Sequence, residues 1–221
     1  MIHHRVLQYS DEWFSVRSGI PTASEFHRIV TPTGTPSKQA AAYRYRLIAE
    51  RLMNIRPKQT DDYWIQRGHD LEPEAAQLFE HEHGLRADLC GFITTDDGRM
   101  GCSPDRMHGD ELVEIKCPAP WTQVGYLLDG PGDQYKAQVQ GQLMITEAAA
   151  VHFYSYHPAM PSAYRYTLRD DFFIKQLRQR LIDFCDFLDF ETERCRKMGV
   201  FIPVPVSEEA FLKQLEVEGR A

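Results

Sequence analysis

The sequence predicts an α/β (α+β) fold in which a central mixed β-sheet is flanked by helices. Three observations predict it. Segments of helical and strand periodicity follow in the order α, β-meander, α, β, β, α. No βαβαβ series and no glycine-rich phosphate loop occurs, which excludes a doubly wound nucleotide-binding fold. The chain is also long enough: a protein of 221 residues buries about 70% of its extended surface and needs no metal or disulfide staple to fold. One domain is expected over 1–221, with a helical and extended C-terminal region at about 170–221.

Each element has its own signal. Residues 37–53 read as a helix, with Ser37 as N-cap and Ala41, Tyr45, Ile48 and Leu52 on one stripe. A second helix is expected from about Asp70 to His83, with Pro73 in its first turn, Gly84 just past its end, and Leu71, Ala75, Leu78 and Phe79 buried. Asp62 to Arg67 reads as a separate turn before it. Residues 89–118 read as an antiparallel meander of three strands, broken at Asp96-Asp97-Gly98 and His108-Gly109-Asp110. Residues 133–148 are helical, Ala150 to His157 and Tyr164 to Leu168 are strands, and Asp170 to Met198 is a long helix closed by Gly199. Phe201 to Val206, broken by prolines, reads as an edge strand or covering arm. His3 and His4 read as a mobile terminus.

Composition excludes several function classes. No apolar run approaches the roughly 20 residues of a membrane span. The start, Met1-Ile2-His3-His4-Arg5, lacks the apolar core of a secretory signal. The five cysteines form no CxxC pair, so reduced thiols in a cytoplasmic protein are expected, with no iron–sulfur or structural zinc site. His81 and His83 diverge on a helix and do not make a zinc motif. The net charge of −7 argues against a nucleic-acid coat, but it is unevenly spread: residues 1–58 carry about +5 and the rest about −12. Basic groups of that first segment are expected to face a nucleic acid while the acidic surface faces out.

The residues that carry chemistry lie in Ser103-Pro104-Asp105 and Glu114-Ile115-Lys116. Strand side chains alternate, so Glu114 and Lys116 share a face while Val113, Ile115 and Cys117 point into the core. Asp105, at the end of the neighbouring strand, can approach Glu114. Two such carboxylates repel unless a proton or cation is shared, and oxygen ligands of this kind select Mg²⁺ or Mn²⁺. The carbonyl of Ile115 is a further candidate ligand. Lys116 could orient or deprotonate a water, or oppose charge developing on a phosphate. Such a set suits phosphodiester hydrolysis. The same spacing also occurs in a solvated strand whose aspartate merely caps a turn, and the pattern alone does not choose between the two. Arg17, followed by an expected helix start at Thr22 or Ser24, offers a phosphate site, although such a pair taken alone is more often a surface arginine and a helix cap. Gln138 and Gln140 cannot share one helix face, so at most one is expected at the metal.

The arrangement resembles the PD-(D/E)xK nucleases. Thr22-Ala23-Ser24, Gly68…Glu72, Leu78-Phe79-Glu80, Cys102-Ser103-Pro104-Asp105, Glu114-Ile115-Lys116-Cys117-Pro118 and Ala137-Gln138-Val139-Gln140 stand in the order found in the phage lambda exonuclease, or YqaJ-like viral recombinase, family. The resemblance runs from about Trp13 to Pro158. It implies a restriction-endonuclease-like core, with Asp105, Glu114 and Glu72 as ligands of two Mg²⁺ ions. It also implies that Lys116 positions or activates the attacking water, that Gln138 orients water or phosphate, and that Tyr135 lies beside it. Arg17, Thr22 and Ser24 would hold a 5′-terminal phosphate. The implied activity is a 5′-to-3′ exonuclease on double-stranded DNA ends that releases 5′-mononucleotides and leaves 3′ overhangs for recombination. A ring of three subunits and a single-strand annealing partner are implied as well. An endonuclease of the same superfamily, or a non-catalytic DNA-end-binding protein, is the alternative.

Overall fold

The computed structural model describes residues 1–53 and 63–199. The elements are β1 (Ile2–His4), α1 (Asp11–Arg17), a 3₁₀ helix (Ala23–Arg28), α2 (Ala40–Met53), α3 (Tyr63–His83), β2 (Asp88–Leu89), β3 (Phe92–Thr94), β4 (Gly101–Cys102), β5 (Arg106–His108), β6 (Glu111–Lys116), α4 (Pro120–Asp129), a second 3₁₀ turn (Asp133–Tyr135), α5 (Lys136–Thr146), β7 (Ala150–His157), β8 (Met160–Leu168) and α6 (Asp171–Lys197). A five-stranded sheet runs β2-β5-β6-β7-β8 and a three-stranded sheet runs β1-β3-β4. All pairs are antiparallel except β6 and β7. That parallel pair requires a crossover, which α4 and α5 supply. A mixed five-stranded sheet with helices on both faces is a restriction-endonuclease-like core.

Two clusters of buried side chains cover the two faces of that sheet. Phe26, Leu47, Leu112, Leu143, Val151, Leu177 and Leu188 belong to the larger one, which joins the first 3₁₀ helix, α2, α5 and α6. Ala75, Ala76 and Phe79 of α3 meet Val113, Ile115, Cys117 and Tyr154 in the smaller one. The alternation read from β6 therefore holds: its odd positions face α3. In α6, Leu177, Leu181, Phe184 and Leu188 are buried, while Phe187 is 44% exposed.

The expected meander is corrected. β4 pairs with β3, whereas β5 pairs with β2 and β6. Ser103-Pro104-Asp105 carries the chain from one sheet to the other, because Pro104 has no N–H to continue a ladder. His3 and His4 are not a loose end, since β1 pairs with β3 from Ile2↔Thr94 to His4↔Phe92. The α2 stripe is also rotated from the one expected. Tyr43, Leu47 and Ile48 are buried, while Tyr45 is exposed, because α2 presents that face to the core and sends Arg44 and Arg51 to Glu191 and Asp189 of α6.

The turn expected over Asp62 to Arg67 is instead the first part of α3, as far as the described residues extend. Pro73 thus sits inside the helix and forfeits the bond to the His69 carbonyl, a loss of about 3 kcal/mol in an ordinary helix. Tertiary contacts offset it. Arg67 donates to the Pro118 carbonyl at 3.3 Å, and the Trp64 and Trp121 rings meet edge-on at 5.1 Å. The far end closes as read: Gly84 has φ +63°, and the Leu85 N–H reaches back to the Glu80 carbonyl at 3.2 Å. The long C-terminal helix is unbroken, with Asp170 accepting from the Phe173 N–H at 2.9 Å as its N-cap. β8 begins four residues earlier than the strand expected at Tyr164. The extended stretch read at Phe201 to Val206 lies outside the described residues.

Among the described residues, four of the nine basic groups of residues 1–58 form ion pairs within the protein. Arg28 pairs with Glu25, Arg44 with Glu191, Arg46 with Glu25 and Glu50, and Arg51 with Asp189. These pairs lower the net positive charge that the four arginines present. Their partners are mostly contributed by α6 and by the first 3₁₀ helix.

One glycine sets the distance between α5 and the first 3₁₀ helix. A Cβ on Gly141 would stand 2.5 Å from the Phe26 ring and 3.6 Å from the Ala23 Cβ. Gly141→Ala is expected to cost about 1–3 kcal/mol by overpacking, read as a lower urea midpoint.

Candidate active site

Glu114 sits on the α5 face of β6 and is 2% exposed. Its Oε1 accepts the Lys116 ammonium and the Gln138 amide, the latter at 2.6 Å. Its Oε2 accepts the Gln142 amide, also at 2.6 Å. Gln138 and Gln142 are one turn apart on α5, so a single helix face delivers both donors. Gln140 points elsewhere, bonding the Leu168 carbonyl and the Asp170 N–H. Gln142 was not singled out in the sequence, although its spacing of four from Gln138 is the signal that could have found it.

Asp105 is placed by the end of a strand pairing. β5 matches β6 only as far as Arg106↔Val113. Beyond that point the edge of β6 is open, and Asp105 Oδ2 accepts the Ile115 N–H at 2.6 Å. In an extended strand the N–H and C=O of one residue share an edge, so the Ile115 carbonyl faces the same side. Burial raises the Asp105 pKa well above the usual carboxylate range, and Glu114 adds to it. Glu72, half-buried on α3, is raised by its own burial despite Arg106 nearby. Burial alone would lower the Lys116 pKa, but Glu114 and Asp105 outweigh it and raise the value. Lys116 is thus held as an ammonium.

A cavity of about 160 Å³ joins this cluster to a second group. It is lined by Asp105, Glu114, Lys116, Gln138 and Gln142 together with Arg17, Thr22, Ser24 and Ser103. The Arg17 guanidinium lies over the Trp13 ring at 3.8 Å and donates to Ser103 Oγ at 3.2 Å. Trp13 donates to the same oxygen at 2.8 Å. Among the described residues no carboxylate pairs with Arg17, whose pKa burial pushes down to about 10. Thr22 and Ser24 hydroxyls lie 3.3 Å apart. The helix expected to start there is a 3₁₀ helix of six residues, too short to offer a long helix dipole beside the arginine and hydroxyls. The loop after Arg17 is fixed from α2: Glu50 accepts the Gly19 N–H at 2.9 Å and Arg51 donates to the Gly19 carbonyl at 2.6 Å.

A second cavity, of about 520 Å³, lies on the other side of Asp105 and Lys116 and includes Glu72, Tyr9, Trp64, Trp121 and Tyr135. Tyr135 is therefore not brought to the Arg17 group. Its hydroxyl meets that of Tyr126 at 2.6 Å, and its ring lies 5.6 Å from the Lys116 ammonium. Arg17, Thr22, Ser24, Asp105, Glu114, Lys116 and Gln138 converge on the first cavity, whereas Glu72 and Ile115 line the second, which shares Asp105 and Lys116 with it. Trp13, Ser103 and Tyr9 join them without having been assigned a role. Ser103 was within the quoted motif, and nothing in the sequence marked Tyr9.

A YqaJ-like viral recombinase domain matches residues 12–149. The chain belongs to this family. It is 29% identical to the alkaline exonuclease LHK-Exo of Laribacter hongkongensis, covering 86% of this chain and 98% of that one, with a TM-score of 0.79. The complex of LHK-Exo with dAMP matches at 30% identity over the same shares, also with a TM-score of 0.79. A phage-related exonuclease from Haemophilus somnus 129PT shares the fold at 13% identity and a TM-score of 0.64, covering 79% of this chain and 96% of that one. No curated protein matches the sequence. Among the described residues no helix is long and apolar enough to cross a membrane.

The dependence of the site on one carboxylate is testable in the fold itself. Asp105→Asn keeps an acceptor for the Ile115 N–H, whereas Asp105→Ala leaves it unpaired. The alanine variant is expected to be less stable than the asparagine variant by about 1–3 kcal/mol in urea titrations.

Proposed function

We propose that the chain is a divalent-metal-dependent exonuclease that degrades one strand of double-stranded DNA from its 5′ end. Family membership and the similarity to LHK-Exo support nuclease activity on DNA. One observation favours an end-directed enzyme over an endonuclease of the same core. The Arg17 group and the Asp105–Glu114–Lys116 cluster line one cavity, which favours a terminal phosphate held beside the reacting one.

The donor chemistry fits Mg²⁺, with Mn²⁺ as a substitute. Asp105, Glu114 and the Ile115 carbonyl offer hard oxygens, and Glu72 adds a carboxylate from α3 for a second ion. Among the described residues no three such acidic, histidine or cysteine side chains close into a metal cage by themselves, so nucleic-acid oxygens would complete the coordination. When bound, the ions supply Lewis-acid stabilisation of phosphate charge and acidify water.

The residues of the chain then divide the work. Arg17, stacked on Trp13 and flanked by Thr22 and Ser24, holds the 5′-terminal phosphate. The Lys116 ammonium donates to the attacking water or the phosphate oxygens and opposes their charge. Gln138 and Gln142 fix Glu114, and Gln138 stands at the cavity wall where it also orients the attacking group. Water attacks the phosphorus linking the first two nucleotides, the bond to the 3′-oxygen breaks, and that oxygen takes a proton. The first nucleotide leaves as a 5′-mononucleotide, and the shortened strand again carries a 5′-phosphate. Repetition leaves a 3′ overhang suited to recombination.

The deciding experiment uses end-labelled linear duplex with 5′-phosphate or 5′-hydroxyl ends, beside covalently closed circles, with Mg²⁺. Mononucleotide release from phosphorylated ends with circles untouched is expected, and nicked circles would overturn the end-directed reading. Lys116→Ala is expected to lower the rate by about 10²–10³-fold. Arg17→Ala is expected to erase most of the preference for phosphorylated ends, roughly 10- to 100-fold, because it removes charge-assisted hydrogen bonds.

A further inference from the structure

Tyr9 has no task in the reaction outlined above, yet it stands at its centre. It lines both the Arg17 cavity and the Glu72 cavity. Its φ is +67°, a left-handed conformation that a bulky L residue adopts only at a cost. The surroundings impose it. The Ser10 N–H closes a turn onto the Leu7 carbonyl at 3.1 Å, and Ser10 then caps α1 by accepting the Trp13 N–H at 3.2 Å. Gln8 clamps the turn to the Cys90 and Pro104 carbonyls, each at 2.9 Å, one residue from Asp105. The ring lies 4.0 Å from His69 and 5.2 Å from Trp13, centroid to centroid.

A glycine would relieve this backbone, so packing alone does not account for a tyrosine. Nor is the ring spent on the core, since the residue keeps 39% of its surface exposed. A partly exposed aromatic ring, held between His69 and Trp13 beside a phosphate-binding cavity, matches one chemical group above others: a nucleobase, whose flat face stacks on aromatic side chains whatever its identity. The Glu72 cavity continues the same surface outward to Trp64 and to Trp121, which is 68% exposed. Resting on the nuclease reading, we infer that Tyr9 is a substrate-positioning residue whose ring stacks the base of the nucleotide next to the reacting phosphate. The strained turn is what aims it.

The test is a binding cycle in EDTA, which is independent of turnover. The probe is a 5′-phosphorylated single-stranded oligonucleotide, compared with the same strand made abasic at its first two positions. The wild-type protein is expected to bind the abasic strand on the order of tenfold more weakly. Tyr9→Phe is expected to keep that difference. Tyr9→Leu and Tyr9→Gly are expected to bind both strands alike, at the level of the wild type with the abasic strand, while Tyr9→Gly melts no lower than the wild type. The inference is overturned if Tyr9→Gly still distinguishes the two strands, or if Tyr9→Phe loses the distinction. Failure of the nuclease reading has a separate signature: no Mg²⁺-dependent release of nucleotides by the wild-type protein.

Discussion

The site depends on a strand that stops. β5 leaves β6 at Arg106↔Val113, while β6 continues to Lys116 against β7. A buried strand edge with no neighbour carries unpaired backbone groups, which the interior does not tolerate cheaply. The Asp105 carboxylate takes the place of the absent strand by accepting the Ile115 N–H. That single bond brings a second carboxylate beside Glu114, turns the Ile115 carbonyl toward it, and leaves room for Lys116 to reach across. A fully paired β6 would be a better strand and no site at all.

The rest of the fold holds the opposite wall in place. Arg17 is set by stacking on Trp13 and by a hydroxyl shared with it, and the loop behind it is tied to Glu50 and Arg51 of α2. Arg51 in turn pairs with Asp189 of α6, which also receives Arg99 from the turn between β3 and β4. These exposed pairs each contribute little, about 0–1 kcal/mol, but they join three elements at one point. The close approach at Gly141 brings the first 3₁₀ helix against α5, so Ser24 and Gln138 face one cavity.

Much of this was legible in the sequence, for identifiable reasons. Alternation along β6 assigned Glu114 and Lys116 to one face, the motif spacing supplied Asp105, and the family resemblance added Glu72 and the role of Arg17. The strand at Ala150 to His157 and the cap at Gly84 were read with their bounds. What was missed is non-local. The separation into two sheets follows from Pro104 and from pairing partners far apart in sequence. The start of α3 lies before a proline that ordinarily ends a helix, and contacts with Pro118 and Trp121 override it. The helix α4 was missed for a different reason. Pro120 at its first turn and Gly130 with φ +75° at its end are ordinary helix boundaries, but the expected elements pass from the meander ending at 118 directly to the helix at 133. Tyr9 could not be found at all, because a left-handed tyrosine has no sequence signature.

The surroundings of Glu114 are one-sided. Two primary amides and an ammonium converge on it, and each offers hydrogens. A glutamine at 114 would have almost the same shape, but half of its head would present hydrogens to hydrogens. The pocket therefore distinguishes an acid from its own amide by polarity alone. Deamidation of a neighbouring glutamine would have the mirror effect, setting acceptor against acceptor. The cluster thus has little tolerance for slow chemical ageing; Gln142, buried on α5, is shielded from the water that would age it, whereas Gln138 at the cavity wall is not.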